Sequence, residues 1–317
     1  MANKKTIASI NIDKLKICYN LPTDFDLFSE LVSKSELPTS TPNLSEQAEK
    51  IYFDGFYLQA IDWEYSVNYG DCKRLSLMVI TDAGEKIGTL EMRDDCKYGG
   101  KCFFTFECKA LYTITSNYPS KFNMMSYMDY ISSNLNLTFN NVTLVELALD
   151  TNKNYITKVR KMIRNTDIEM FKNGHKITDD NKVISNYGEF YSRSRKQLSK
   201  QPTLYFEQAK DTGLKLKIYN KTREMAESET EKLSYIPEWV GIVGGEDIYR
   251  CEITIRNTDL RAFCALMGDI CPEQGEYENI IGLLMLEDFR GRLWAWASHR
   301  LIYFRDENGD IDLIDLI

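Results

Sequence analysis

The sequence lacks most of the short motifs that identify a common class of binding site. Its eight cysteines include no C-x-x-C pair, and its two histidines, His175 and His299, lie far apart, so neither a zinc site nor a metal site of paired histidines is expected. No G-x-x-x-x-G-K-[ST] or G-x-G-x-x-G stretch supports a nucleotide-binding fold. No apolar run has the length of a membrane span or a signal peptide, which predicts a cytoplasmic protein without membrane contact.

The chain of 317 residues is acidic overall, with a formal net charge of −8, but its charge is unevenly distributed. Residues 153–223 contain 17 Lys and Arg against 7 Asp and Glu, whereas the rest of the chain contains 22 against 40. A basic block within an acidic chain is typical of a local contact with a polyanion. A solvated charged surface would give the same pattern.

The order of the predicted elements indicates an α+β fold. Several strand patterns between residues 50 and 110 are followed by a helix, a strand, a second helix and further strands, and the stretch from 260 to 304 is helical. This order predicts an antiparallel or mixed β-sheet with helices packed on one face and a polar face on the other. The expected regions are an N-terminal α+β region (1–110), a sheet core (111–257) and a C-terminal helical region (258–317).

Three of the predicted strands each carry their polar residues on one side. They are VTLVELALD (142–150), LKLKIYNK (214–221) and IYRCEITIRN (248–257). Successive side chains of a strand face opposite sides, so the alternation gives each strand one apolar and one polar face. If the three strands are neighbours, their polar face collects Glu146, Asp150, Tyr219, Lys221, Arg250, Glu252 and Arg256.

This set of side chains suits chemistry on a phosphodiester. Carboxylates such as Glu146, Asp150 and Glu252 are the oxygen ligands that Mg²⁺ or Mn²⁺ prefers. Tyr219 can act as a nucleophile, and the positive charge of Lys221 is expected to lower the pKa of its phenol. Glu146 and Asp150 lie about 13 Å apart on a straight strand, which ranks Asp150 below the two glutamates as a ligand. The alternative is a polar outer face with cross-strand ion pairs, as antiparallel sheets commonly have.

The segments LVELALD, TLYFEQAKDTGLKLKIYNKTRE and YRCEITIR resemble the replication initiation factors of rolling-circle plasmids, the Rep proteins. The family pattern runs R-x-D-x-x-x-D, then T-x-Y-x-G-x-R-x-S with L-R-x-Y-[DN]-K-x-x-E, then W-R-x-E-x-x-x-[RK]. The resemblance covers residues 100 to 260, and its most specific parts are I-Y-N-K-x-x-E and R-x-E-x-x-x-R. The chain departs from the pattern at Leu144, Glu146 and Glu207, where the family has arginine, aspartate and glycine, and it lacks the Arg and Ser that follow.

The resemblance implies a metal-dependent nickase that cuts one DNA strand at an origin and keeps the 5′ phosphate on a tyrosine. It implies that 111–257 is the nicking core, that Mg²⁺ or Mn²⁺ is the cofactor, and that the substrate is a hairpin or single-stranded loop. Host helicase and polymerase, and a second copy of the chain, are further expected partners. The residues so assigned are Tyr219, Lys221 and Arg250 for catalysis, and Glu146, Asp150 and Glu252 for the metal.

The basic block acquires a role under this resemblance. Lysine and arginine neutralise phosphates, and aromatic side chains stack on unpaired bases. The candidate DNA-binding residues are Tyr191, Arg193, Arg195, Lys196, Lys215, Lys217 and Arg256. The aromatic residues of this segment would equally fit the inner face of a strand.

Two other functions remain compatible with the same residues. A non-catalytic, sequence-specific DNA-binding protein would keep the Rep-like fold without the chemistry. A recombinase or transposition nickase would use the same chemistry on a different DNA target.

Overall fold

Two antiparallel β-sheets and the helices packed on them make up the described part of the chain. The computed structural model describes residues 7–22, 27–35, 49–65, 72–93, 100–115, 124–177, 202–208, 213–267 and 278–317. The strands are β1 (Ala8–Asn20), β2 (Lys50–Phe53), β3 (Phe56–Tyr65), β4 (Cys72–Thr81), β5 (Lys86–Arg93), β6 (Lys101–Phe106), β7 (Thr138–Thr151), β8 (Glu169–Lys172), β9 (His175–Ile177), β10 (Leu204–Glu207), β11 (Lys215–Asn220), β12 (Tyr249–Arg256), β13 (Ile302–Asp306) and β14 (Gly309–Ile311). The helices are α1 (Leu27–Lys34), α2 (Cys108–Thr115), α3 (Met124–Asn134), α4 (Tyr155–Arg164), α5 (Lys221–Ser228), α6 (Ile236–Trp239), α7 (Asn257–Met267), α8 (Glu278–Met285) and α9 (Glu287–Leu301).

The larger sheet has ten described strands in the order β10-β11-β12-β7-β1-β6-β5-β4-β3-β2, and neighbouring strands are antiparallel throughout. The N-terminal strand β1 lies near the middle, between β7 and β6. The predicted α+β class with an antiparallel sheet is confirmed. The expected boundary at residue 110 falls within α2, and strands from both sides of it pair in one sheet. The division into three regions therefore stays a prediction.

One face of the larger sheet is covered by the hydrophobic core. Leu216 and Ile218 of β11 and Ile253 of β12 are buried on this face. Helix α9 packs against the same strands, where Trp294 is fully buried and its indole Nε1 donates to the carbonyl oxygen of Cys251 at 3.4 Å. Burying one such aliphatic side chain contributes about 1.5–3 kcal/mol. The apolar residues of each alternating strand are buried in this core, so the polar residues lie on the opposite face of the sheet.

The C-terminal region, which we expected to be helical over 258–317, contains both helices and strands. Helices α7, α8 and α9 are followed by β13 and β14, which join β8 and β9 in a smaller sheet of order β14-β13-β8-β9. The rings of Phe171 and Tyr303 stack across this sheet with centroids 4.7 Å apart. No helix in the described ranges combines the length and the apolar character needed to cross a membrane.

A β-bulge in β1 brings Asp13 to the polar face. The register of β1 on β7 shifts between Ile12 and Lys14, which leaves Asp13 as the extra residue. Ile12 and Leu15 are both fully buried in the core, whereas Asp13 and Lys14 line a cavity on the opposite face. A single inserted residue therefore reverses the alternation along this strand and adds an acid to the polar face.

Strand β5 has no space for a side chain at Gly88. A Cβ there would lie 2.5 Å from the carbonyl oxygen of Thr105 and 2.7 Å from the ring of Phe104. We expect Gly88→Ala to lower the free energy of unfolding by about 1–3 kcal/mol, measured by urea denaturation. The matched control is Gly291→Ala in α9, where a Cβ meets nothing within 4 Å and helix propensity favours alanine by up to about 1 kcal/mol. Equal stability of the Gly88→Ala and wild-type proteins would contradict this packing.

Candidate active site

Strands β11, β12 and β7 lie side by side and present a shared polar face. Tyr219 of β11 is opposite Arg250 of β12, and Arg250 is opposite Asp150 of β7. Tyr219, Glu146 and Glu252 line one cavity of about 310 Å³, which we call the tyrosine cavity. The folded sheet thus brings together side chains that the sequence places on three separate strands.

The phenol of Tyr219 is buried and hydrogen-bonded. Its hydroxyl donates to Oε2 of Glu252 at 2.9 Å, and Nζ of Lys217 lies 4.1 Å from the centroid of its ring. The residue is only 3% exposed. Burial, and after it the charge of Glu252, raises the pKa of the phenol well above its usual value, although the charge of Arg250 acts in the opposite direction. Tyr219 therefore holds its proton at neutral pH, with Glu252 in position to accept it.

Lys221 follows β11 directly, and its ammonium group is enclosed by acids. Its Nζ donates to Oε2 of Glu224 and to Oε2 of Glu229, each at 2.7 Å, and lies 5.8 Å from the ring centroid of Tyr219. The phenol pKa is raised and not lowered as we expected beside Lys221, because burial dominates it; the ammonium group of Lys221 is bound to two carboxylates. Glu224 also accepts a hydrogen bond from Lys217 at 2.9 Å. One carboxylate thus binds both lysines that lie near the tyrosine ring.

Arg250 is fully buried in a network of two acids and a tyrosine. Its Nε and one terminal nitrogen donate to the two carboxylate oxygens of Asp150 at 2.7 and 2.9 Å, and the other terminal nitrogen donates to Asp13 at 2.6 Å. It also donates to the hydroxyl of Tyr112. All three guanidinium nitrogens therefore serve protein partners, and both oxygens of Asp150 bind Arg250. These bonds hold the site together, and the expected roles of Arg250 in catalysis and of Asp150 in metal binding stay predictions.

Three carboxylates that line the tyrosine cavity differ in their affinity for protons. Burial, and then the charge of Glu252, raises the pKa of Glu146 to about 7. Burial and the charge of Asp13 also raise the pKa of Glu252. Burial acts on Asp13 in the same direction, but the charges of Arg250 and Lys221 outweigh it and hold the pKa of Asp13 well below its usual value. The cavity therefore combines a firmly ionised acid with two acids of raised pKa.

Glu146 and Glu252 are the residues that fit a divalent ion. Within the described ranges, no group of three His, Cys, Asp or Glu side chains has the spacing of a metal site. Two carboxylates nevertheless suit Mg²⁺, which binds through one or two carboxylates and completes its shell with water and substrate phosphate. A cation between the two glutamates would also relieve the repulsion by Glu252 that helps to raise the pKa of Glu146.

A second cavity of about 450 Å³ adjoins the tyrosine cavity on the polar face. Three of the predicted DNA-binding residues, Lys215, Lys217 and Arg256, line it. Nζ of Lys215 lies 3.9 Å from a carboxylate oxygen of Glu207. The other four predicted DNA-binding residues lie outside the described residues: Tyr191, Arg193, Arg195 and Lys196.

Asp13 and Tyr112 belong to the site but were not predicted from the sequence. Strict alternation places Asp13 on the same side as the buried Leu15 and Ile17, and only the bulge separates them. The one available signal is that Asp13 is the sole acid of β1. Tyr112 comes from α2, and no local pattern indicates that this helix packs against the polar face beside Arg250.

Comparisons with known proteins give a structural likeness but no match to a family model or a curated protein. Among the solved structures, the chain is similar to one described as "Structure of Rolling Circle Replication Initiator Protein from Geobacillus stearothermophilus". The identity is 13% and the TM-score 0.43, over 95% of this chain and 88% of that chain. We transfer no residue role from a likeness of this size.

Proposed function

We propose that this protein nicks one strand of DNA through Tyr219, stays joined to the 5′ phosphate and thereby starts rolling-circle replication. The observation that carries the proposal is the 2.9 Å hydrogen bond from Tyr219 to Glu252 in a cavity shared with Glu146 and several lysines. A nucleophile, a base in contact with it and adjacent cations are the parts of a phosphoryl-transfer site. The resemblance of the I-Y-N-K-x-x-E and R-x-E-x-x-x-R segments to Rep proteins supports the role in replication.

In the proposed reaction, the phenol oxygen of Tyr219 attacks the phosphorus of a phosphodiester. The O–P bond to tyrosine forms while the bond from phosphorus to the 3′ oxygen breaks. The phenol proton passes to Glu252, and the 3′ oxygen takes a proton from water and leaves as a hydroxyl. Because its pKa is raised, Glu252 is a better proton acceptor than an ordinary carboxylate. The free 3′ hydroxyl is then available to a polymerase.

The remaining groups of the cavity supply charge. Nζ of Lys217 and Nζ of Lys221 lie 4.1 and 5.8 Å from the ring centroid of Tyr219 and would place positive charge near the attacked phosphate, although Glu224 offsets part of this charge. Glu146 and the second oxygen of Glu252 would hold Mg²⁺ or Mn²⁺, and such an ion polarises a phosphodiester when bound. Host helicase, host polymerase and a second copy of the chain stay predicted partners.

A second candidate function is sequence-specific DNA binding without chemistry. The observation that favours it is the burial of Tyr219, because a nucleophile must reach the phosphate and this side chain is 3% exposed. A non-catalytic protein would retain the cations of the polar face and form no covalent product.

The two functions are separated by the Tyr219→Phe variant. Incubated with single-stranded oligonucleotides containing an inverted repeat and with Mn²⁺, the wild-type protein is expected to form an adduct that survives denaturing electrophoresis. The variant is expected to form none, because it lacks the attacking oxygen. The matched control is Tyr52→Phe, which alters a 69% exposed tyrosine on β2 at the far edge of the sheet and should keep the adduct.

Each contrary result of this assay has a distinct meaning. An adduct that persists in Tyr219→Phe would move the nucleophile to another residue. A wild-type protein that binds the oligonucleotide and forms no adduct under these conditions would favour the non-catalytic function.

A further inference from the structure

We infer that the second cavity holds a nucleotide of the same DNA strand, some distance from the bond that Tyr219 attacks. We call this cavity the strand subsite. Its walls include Lys14, Tyr205, Lys215, Thr254 and Arg256. The inference rests on the proposed function for its substrate class and adds a place that binds the strand without reacting with it.

The strand subsite is continuous with the tyrosine cavity along the direction of the strands. Arg256 lies six residues beyond Arg250 on β12, and Arg250 is opposite Tyr219. At about 3.3 Å per residue, this separation is roughly 20 Å, which a strand of a few nucleotides spans. The two cavities share four wall residues, Lys14, Glu146, Lys217 and Glu252. A polymer that follows β12 would therefore occupy both cavities.

Arg256 is the strongest indication of what the strand subsite binds. Its Nε is buried and has no hydrogen-bond partner within the part of the chain that the structure describes. Asp259 of α7 responds first to the charge of Arg300 and less to that of Arg256, and its contact with Arg256 is through the backbone N–H, so the guanidinium forms no ion pair with it among the described residues. A buried N–H of a charged group is costly unless it is hydrogen-bonded. A guanidinium in this position matches the oxygens of a phosphate.

Lys14 supplies a second cation on the other side of the same cavity. It is exposed and makes no ion pair in the described ranges, whereas Lys215 and Lys217 have Glu207 and Glu224 as neighbours. Among the described residues, Lys14 and Arg256 are thus the cations of the strand subsite without an ion pair shorter than 4.0 Å, although Glu146 and Asp259 lie close enough to sense their charges. Their charges would face a phosphodiester backbone that passes between them.

The cavity is suited to an unpaired nucleotide. Tyr205 forms part of its wall, and an aromatic side chain offers a stacking surface for a base of any sequence. A volume of about 450 Å³ is in the range of sites that enclose one small ligand, which corresponds to a single nucleotide and excludes a base pair with its two backbones. The strand subsite should therefore select single-stranded DNA.

The test measures binding of a fluorescein-labelled oligothymidylate to the full chain by anisotropy, in EDTA and over a series of salt concentrations. Arg256→Met and Lys14→Met are each expected to weaken binding about tenfold, as loss of a charge-assisted hydrogen bond does. Each should also reduce the slope of log K against log salt by about 0.7, the value for one phosphate contact on a single strand. Arg305→Met, which removes a cation on the smaller sheet, should change neither quantity.

The outcomes distinguish the strand subsite from the nicking reaction. EDTA removes the divalent ion that the proposed nicking reaction requires, so this measurement does not depend on whether Tyr219 forms an adduct. Unchanged binding by Arg256→Met would overturn the subsite even if the adduct forms normally. Weaker binding with an unchanged salt slope would also overturn it, because a general effect on folding removes no phosphate contact. Arg256→Lys, which keeps the charge, should restore the slope.

Discussion

Replacing Arg250 by methionine is expected to lower the free energy of unfolding by about 3–5 kcal/mol. The substitution keeps much of the side-chain volume but removes the positive charge shared by Asp13 and Asp150. Asp150 is fully buried and bonds to Arg250 through both of its oxygens, so it would be left as a buried, uncompensated charge. Urea denaturation at neutral pH, followed by circular dichroism, measures the loss.

Two further variants show whether the loss comes from unpaired acids. The double variant Arg250→Met with Asp150→Asn should recover part of the stability, because it removes one of the two carboxylate charges that Arg250→Met leaves unpaired. Arg305→Met, which breaks the exposed ion pair with Asp310, should leave the free energy of unfolding almost unchanged. If Arg250→Met were as stable as Arg305→Met, the buried network would not hold the strands together.

Replacing Glu146 by glutamine is expected to stabilise the protein and to abolish the nicking activity that we propose. The pKa of Glu146 is about 7 in the folded protein, against an ordinary value of 4.5. Between these values the folded state keeps a proton that the unfolded state has released, so stability falls as the pH rises through this window. Above about pH 7, Glu146 is ionised in both states, and the folded state keeps the full free-energy cost of burying its charge. With a discount for partial exposure, the variant should be more stable than wild type by about 2 kcal/mol at about pH 8.

The pH dependence provides the control for this prediction. At about pH 4 the acid is protonated in both states, so wild type and Glu146→Gln should unfold at nearly the same urea concentration. Glu85→Gln, in the exposed turn between β4 and β5, should show no such difference at either pH. Loss of the adduct together with higher stability would identify Glu146 as a functional residue. A variant that is less stable at about pH 8 would contradict the assigned pKa.

The polar face was predictable from the sequence because the alternation on three strands is local. Apolar residues such as Ile218 and Ile253 mark the buried side, and the opposite side then follows from the geometry of a strand. The contact between Tyr219 and Glu252 needed only the further condition that β11 and β12 are neighbours.

Other features of the site depend on long-range packing and gave no local signal. Arg250 was expected to take part in catalysis. In the structure it lies opposite Asp150 and also donates a hydrogen bond to Asp13 of β1, so its guanidinium binds carboxylates of the protein. The bulge that turns Asp13 to the polar face interrupts the two-residue alternation of β1, and the prediction of the polar face depended on such alternation. The burial of Tyr219 is also a property of the assembled fold, and it reverses the expected direction of the phenol pKa shift.

The central place of β1 has a consequence for synthesis on the ribosome. Strand β1 cannot gain its two neighbours until β6 and then β7 have been made, and Asp13 can bind Arg250 only after β12 has been made. A nascent or prematurely terminated chain therefore lacks both the middle of the larger sheet and the cationic partner of Asp13. Only chains whose translation has passed β12 can complete the tyrosine cavity.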